Sequence, residues 1–214
     1  MSFLTRKQAE VLFQGQTLLI LGKLPDPTNP SDPAYSYVRV EWSTKGQPGW
    51  EVEQDVVFLQ CITVDDPYNK VRENTRTLDE GGESFTQTTS YTRVWQVTWN
   101  IYGPNSFETA RAIRSGLFNE DNAAGTILPD ADGDPVLPFG QLALNNVYFL
   151  PDVAEPVRCP EQENGQWWER VDFSAKFNEL VQEISTVQTV ESVEVITQTA
   201  EGAVVSDVTI TGES

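Results

Sequence analysis

Hydrophobic and polar residues alternate most cleanly between Arg93 and Ile101. Trp95, Val97, Trp99 and Ile101 share one side of the chain, and Gln96, Thr98 and Asn100 the other. A period of two in β-branched and aromatic residues predicts a strand with one buried face. Gly103-Pro104 ends it, because proline cannot donate to a ladder. The period then changes. Phe107, Ala110, Ile113 and Leu117 recur at helical spacing, with Arg111 and Arg114 on the wet side. Asn105 or Ser106 can cap this helix; with Asn105 as N-cap, Glu108 completes a capping box. Strand, turn and helix predict a β–α unit with a core of Trp95, Val97, Trp99, Ile101, Phe107, Ile113 and Leu117.

The same reading extends along the chain. Ser2 to Phe13 predicts a short amphipathic helix, with Phe3, Leu4, Val11 and Leu12 apolar. The apolar run Thr17 to Leu21 is too short to classify by pattern. Pro25 to Pro33 is a proline-rich connection. Tyr35 to Ser43 alternates and predicts a strand. Gln54 to Val64 is apolar on both faces and predicts a central strand covered above and below. Asp65 to Ser90 is polar around Gly81-Gly82, a pattern that fits a long exposed hairpin or arm. Leu142 to Leu150 is a candidate strand between loops at 121–139 and 151–164. Trp167 to Phe177 alternates again, with Val171, Phe173, Ala175 and Phe177 on one face.

Composition changes near Leu180. Ile184 to Ile210 is rich in valine, threonine and acids, and has no aromatic residue, lysine or arginine. Two strands are predicted around Glu201-Gly202, and their candidate docking positions are Val193, Val195, Ile196, Val204, Val205, Val208 and Ile210. A lone hairpin is marginal in water. The segment therefore reads as an extension that completes its sheet on another surface. Two domains are expected, residues 1–183 and 184–214.

Charge narrows the partners. The chain of 214 residues carries 32 acidic and 14 basic side chains, a formal charge of −18. Such a surface does not grip a nucleic-acid backbone, which needs cations, but it can line a passage through which DNA slides. Histidine is absent, which removes the commonest general base and metal ligand. No cofactor is expected. Cys61 and Cys159 fit no metal or redox spacing and read as buried thiols, with a disulfide between them left open. No signal peptide is legible, and no apolar run is long enough to cross a bilayer, so soluble intracellular synthesis is expected.

Candidate chemistry is thin. Asp130-Ala-Asp132-Gly-Asp134 resembles a calcium loop, but its glycine falls at the fourth position and Gln141 stands at the twelfth, so a solvated turn is expected. Trp167-Trp168, with Trp42 and Trp50, suggests a sugar platform. Adjacent strand residues point to opposite faces, so Trp167 and Trp168 cannot both line one; core packing for one and an interface for the other is expected. Glu169, Arg170 and Asp172 can form an ion pair or a carboxylate pair. No nucleophile, metal cluster or phosphate loop accompanies them.

Four pieces in order resemble the neck or tail terminator (tail-completion) proteins of tailed bacteriophages. Pro30 to Val40 resembles that family's proline-rich lead into a first strand. Val94 to Gly103 with Pro104-Asn105 resembles its strand ending in Tyr-Gly-Pro. Ser106 to Leu117 resembles the helix that follows. Glu155 to Asp172, with Pro156, Trp168, Glu169 and Arg170, resembles its late proline, Trp-x-Arg and aspartate strand. The resemblance spans roughly residues 1–182. It implies a homohexameric ring between the tail tube protein and the head-side neck or connector protein, without enzyme activity. It implies a place in the virion, reached by assembly in the host cytoplasm, with DNA passing through the channel unbound. The neighbour of the C-terminal extension would be the next subunit, the tube, or a sheath protein.

Pattern and resemblance together predict an α+β fold: a mostly antiparallel sheet with one or two helices packed on it, plus a C-terminal β-hairpin. Two other readings stand beside the ring protein: a β-rich carbohydrate- or cell-surface-binding module, and an acid-dependent glycosidase using Glu169 or Asp172.

Overall fold

The computed structural model describes residues 3–23, 33–41, 49–78, 84–118, 128–129, 135–136, 142–143, 145–163, 165–188, 192–198 and 204–211. The chain divides into two compact units. One comprises Phe3–Val71 and Thr92–Val181; the other comprises Met1–Ser2, Arg72–Tyr91 and Gln182–Ser214.

In chain order, helix α1 (Arg6–Ile20) and the helical turn α2 (Ala34–Tyr37) precede strands β1 (Val38–Val40) and β2 (Val56–Val64). A 3-10 turn at Pro67–Lys70 leads to β3 (Glu73–Leu78) and the long β4 (Ser84–Tyr102). Helix α3 (Ser106–Phe118) follows. Short strands β5 (Leu128–Pro129), β6 (Pro135–Val136), β7 (Val147–Leu150), β8 (Val157–Arg158), β9 (Glu161–Glu163) and β10 (Gln166–Trp168) come next. The long β11 (Arg170–Gln188), β12 (Ser192–Gln198) and β13 (Val204–Thr211) end the order.

Seven strands form the main sheet, in the order β1-β2-β4-β11-β7, with β3 also on β4 and β8 also on β11. β1 runs parallel to β2. β2 and β3 each pair antiparallel with β4, and β7 and β8 antiparallel with β11. Helices with a mostly antiparallel sheet make an α+β fold.

Register decides the core. Val57, Leu59 and Cys61 stand opposite Ile101, Trp99 and Val97, so all six share one sheet face. All six are essentially inaccessible. β11 adds Val171, Phe173, Ala175 and Phe177 to the same core. Phe173 stacks on Trp99 at 4.7 Å and 11°. The helices close this face. Phe13 of α1 lies 4.7 Å from Phe177, and Trp99 Nε1 donates to Thr17 Oγ1 at 3.0 Å. Ala110, Ile113 and Leu117 of α3 are buried, and Phe107 packs partly buried against the cluster. The predicted core residues therefore meet. Gly116 lets α3 approach α1: a Cβ there would overlap Ile20 Cγ2.

Several expectations need correction. The first helix begins at Arg6 and runs to Ile20, absorbing the unclassified Thr17 to Leu21 run up to Ile20. Thr5 and Gln8 form a reciprocal capping box that sets its start. Val11 is 61% exposed and Phe3 42%; the buried face is built on Ala9, Phe13, Thr17 and Ile20. Tyr35 to Tyr37 are not strand but a helical turn after Pro33, closed by Ser36 N to Pro33 O. β2 is central, but only its first half is covered on both faces, since Ile62 is 38% exposed. The candidate strand from Leu142 starts only at Val147. The preceding residues turn through Asn146, whose φ of 56° suits asparagine.

Arg114 is not free on the wet side: it donates to the Val153 and Ala154 carbonyls and pairs with Glu155 at 3.1 Å. Cys159 is exposed; only Cys61 is buried, and both thiols are free. At the start of α3, Glu108 stands in the first turn as expected, and the Asn105 amide donates to Asp55 Oδ2, which adds a second negative charge there. The expected strand around Trp167 splits at Glu169 into β10 and β11, and β11 continues through residue 183 to Gln188. The 65–90 arm does hold a hairpin, with Leu78 opposite Phe85. Trp42, Gly81-Gly82 and the Asp130 to Asp134 motif lie outside the described residues.

Candidate functional site

Opposite the helices, the sheet presents a second face. Arg39 stands beside Phe58, Phe58 opposite Asn100, and Val56 opposite Tyr102. Trp50 folds over them, its ring 4.9 Å from Phe58, 5.8 Å from Tyr102 and 5.8 Å from Trp168. The tilts are steep, 68° for Trp50 against Trp168, so these rings make a cluster and not a flat platform. Trp50 Nε1 is buried without an acceptor among the described residues. Trp167, on the other side of β10, is 65% exposed.

Beside the rings sits an ion network. Arg170 holds Asp172 in a fork, Nε to Oδ1 at 2.7 Å and Nη2 to Oδ2 at 2.8 Å. It reaches Glu161 through Nη1 at 3.0 Å and Asn100 Oδ1 through Nη2 at 3.2 Å. The Asn100 amide in turn donates to Glu41. The Asp172 hydrogen bond is the main reason the Arg170 guanidinium holds its proton still more firmly than usual, against the opposing effect of burial. Burial first, then the hydrogen bond to Glu161, push the Tyr102 phenol up. Glu169 is turned away to Arg158 at 2.8 Å, so it and Asp172 serve separate arginines. Gly103 N donates to Glu169 O at 3.2 Å, which ties the end of β4 to the start of β11.

A second constellation lies on the core side. Glu179 of β11, 1% exposed, accepts from Leu4 N at 2.6 Å, Trp95 Nε1 at 2.7 Å and Arg93 Nε at 2.8 Å. The alternation of β11 puts position 179 on the same buried face as Val171, Phe173, Ala175 and Phe177. What pattern cannot supply is the set of partners that lets an acid sit there, which come from two other segments. Near it a groove of about 390 Å³ is lined by residues including Leu4, Arg6, Cys61, Thr63, Arg93 and Trp95.

The predicted docking strands pair with each other. Val193 faces Ile210 and Val195 faces Val208, so these four positions share one side of the ribbon. Ile196 opposite Asp207 and Val204 opposite Gln198 fall on the other, and Val205 sits at the register shift. Among the described residues, no group of three or more histidine, cysteine or carboxylate side chains is placed to hold a metal ion. No helix among them is long and apolar enough to cross a membrane. The chain matches no protein-family model, and no curated protein matches it.

Proposed function

We propose that this chain is a structural virion protein that forms a ring on the end of a bacteriophage tail tube and joins it to the head-side neck. One observation carries the reading. The Tyr102-Gly103-Pro104 strand end and the Trp168-Glu169-Arg170-x-Asp172 strand, two of the four pieces of the resemblance, pack on one another. Gly103 bonds Glu169 O, and Arg170 bonds Asn100 with its charge 5.7 Å from the centre of the Tyr102 ring. Residues nearly seventy positions apart thus form one constellation of arginine, aromatic rings and carboxylates. Its acids are neutralised by arginine, which suits a scaffold more than acid–base chemistry.

The charge fits the same role. Six copies would carry 6 × −18 = −108 formal charges. Acidic channel walls repel phosphate and leave DNA mobile. The alternative, a carbohydrate- or cell-surface-binding module, rests on the exposed Trp167 ring.

Imaging tests the proposal. Rotational averages of the purified protein should show a closed ring with a central opening, and a label on this chain should mark the head–tail joint of assembled particles. A label on fibres, or glycan binding that is lost in Trp167→Ala, would favour the alternative.

A further inference from the structure

Among the described residues, β2 has an open edge along its second half. Its pairing with β1 ends at Leu59, whose carbonyl accepts from Glu41 N at 2.9 Å. Backbone groups alternate sides along a strand, so those of Cys61 and Thr63 point the same way as those of Leu59, away from β4. No strand among the described residues takes them. Natural edges are blunted by lysine, charge or proline. Here Cys61, Ile62, Thr63 and Val64 carry none of these. The 390 Å³ groove opens beside this edge, with Cys61, Thr63, Leu4 and Trp95 among its lining. Two arginines line it and no carboxylate does. Arg6 uses Nε on Glu10, and Arg93 uses Nε on Glu179 and Nη2 on both Glu179 and the Leu4 carbonyl, so Nη1 and Nη2 of Arg6 and Nη1 of Arg93 keep donors to offer.

The β12–β13 ribbon has the complementary chemistry. Among the described residues it pairs with no other strand, and a two-stranded ribbon gains from a third strand. Four β-branched aliphatic positions, Val193, Val195, Val208 and Ile210, share one side. Residues 189–214 include the acids Glu191, Glu194, Glu201, Asp207 and Glu213 and no lysine or arginine. An acidic, edge-bearing strand thus matches an arginine-lined, open-edged groove.

We infer that the β12–β13 ribbon of one copy adds as a strand to the open edge of β2, at Cys61 to Thr63, of a second copy. This deepens the ring reading and rests on it. Donor and acceptor are different surfaces of one chain, so the contact can be head-to-tail, the kind that makes a ring when its rotation closes. Main-chain hydrogen bonds supply the affinity.

The test uses full-length protein. Thr63→Pro removes an N–H on the open side and leaves the β2–β4 ladder intact. It should melt with the unsubstituted protein, yet self-associate about tenfold or more weakly by light scattering, since one main-chain bond is lost and the proline ring obstructs the incoming strand. Val195→Asp, on the ribbon, should do the same. Mixed one to one, the two variants should form a heterodimer that grows no further, because Thr63→Pro keeps its ribbon and Val195→Asp keeps its edge. Independently of any variant, amide exchange at residues 61–63 should slow as the concentration of the unsubstituted protein rises.

The inference is overturned if Thr63→Pro associates as before, if no heterodimer forms, or if exchange at 61–63 ignores concentration. Rings that persist in Thr63→Pro leave the ring reading standing and show that its seam lies elsewhere. If Thr63→Pro fails to fold, the exchange experiment decides.

Discussion

Arg93 Nη2 lies 2.6 Å from Glu179 Oε2, where only 2% of the glutamate side chain meets solvent. The same carboxylate accepts from Leu4 N and Trp95 Nε1, so the segment before α1 is held to β4 and β11 through one acid. Removing one member of such a pair strands the others in a dry site. Glu179→Ala should therefore cost about 3–5 kcal/mol. The check is the urea midpoint at unchanged slope. A shift as small as that of Glu73→Ala, on an exposed strand, would show that the buried network contributes little.

Trp99 combines three anchors: the stack on Phe173, the hydrogen bond to Thr17, and complete burial. Trp99→Ala should cost about 3–5 kcal/mol in a thermal or urea melt. Thr17→Val, similar in shape, leaves the indole N–H buried without an acceptor and should cost about 1–3 kcal/mol. In the Trp99→Ala background the Thr17→Val penalty should largely vanish, because no donor remains to be stranded. An equal penalty in both backgrounds would mean that the indole bond is not what Thr17 supplies.

α1 and α3 touch where Gly116 meets Ile20. Gly116→Ala should destabilise by about 1–3 kcal/mol through overpacking. Ile20→Ala removes the atoms in its way, so the double variant should be more stable than the sum of the two single losses predicts. Additive losses would show that the helices separate to admit the methyl group.

Thiol chemistry should distinguish the two cysteines. Burial, with a smaller push from Glu10, raises the Cys61 thiol to about 12. Cys159 is exposed. A thiol-reactive dye at mild pH should label one site per native chain, at Cys159, and two in denaturant. Labelling of Cys61 in native protein at a comparable rate would contradict its burial.

The same shift makes stability depend on alkali. The folded state holds Cys61 neutral while the unfolded thiol titrates near its ordinary 9.0. The unfolded chain therefore loses its proton first, and stability falls as pH rises from about 9 to about 12. Burial also raises Tyr37, and burial with the Glu161 bond raises Tyr102, so both phenols add to the loss in the same direction. Cys61→Ala should flatten the lower part of that fall in denaturant melts taken across the range. An unchanged slope would assign the loss to the phenols alone.

Local pattern carried the parts of this protein whose partners are close in sequence. Trp95 to Ile101 and Val171 to Phe177 alternate because a half-buried strand repeats every two residues, and both are buried as that period requires. The helix after Gly103 and the two strands of the C-terminal ribbon follow from equally local signals. Tertiary structure decided what local pattern could not. Thr17 to Ile20 is helix because the Thr5–Gln8 cap starts α1 early enough to carry it, and because Trp99 and Gly116 receive Thr17 and Ile20. Glu179 is buried as an acid only because Arg93, Trp95 and Leu4 converge on it from other segments. Arg170 meets Asn100 and Tyr102 only after β4 and β11 become neighbours. Periodicity reports which side of an element faces inward; the partner that makes a buried charge or an open edge stable is chosen by chain segments far away, and only the assembled sheet brings them within bonding distance.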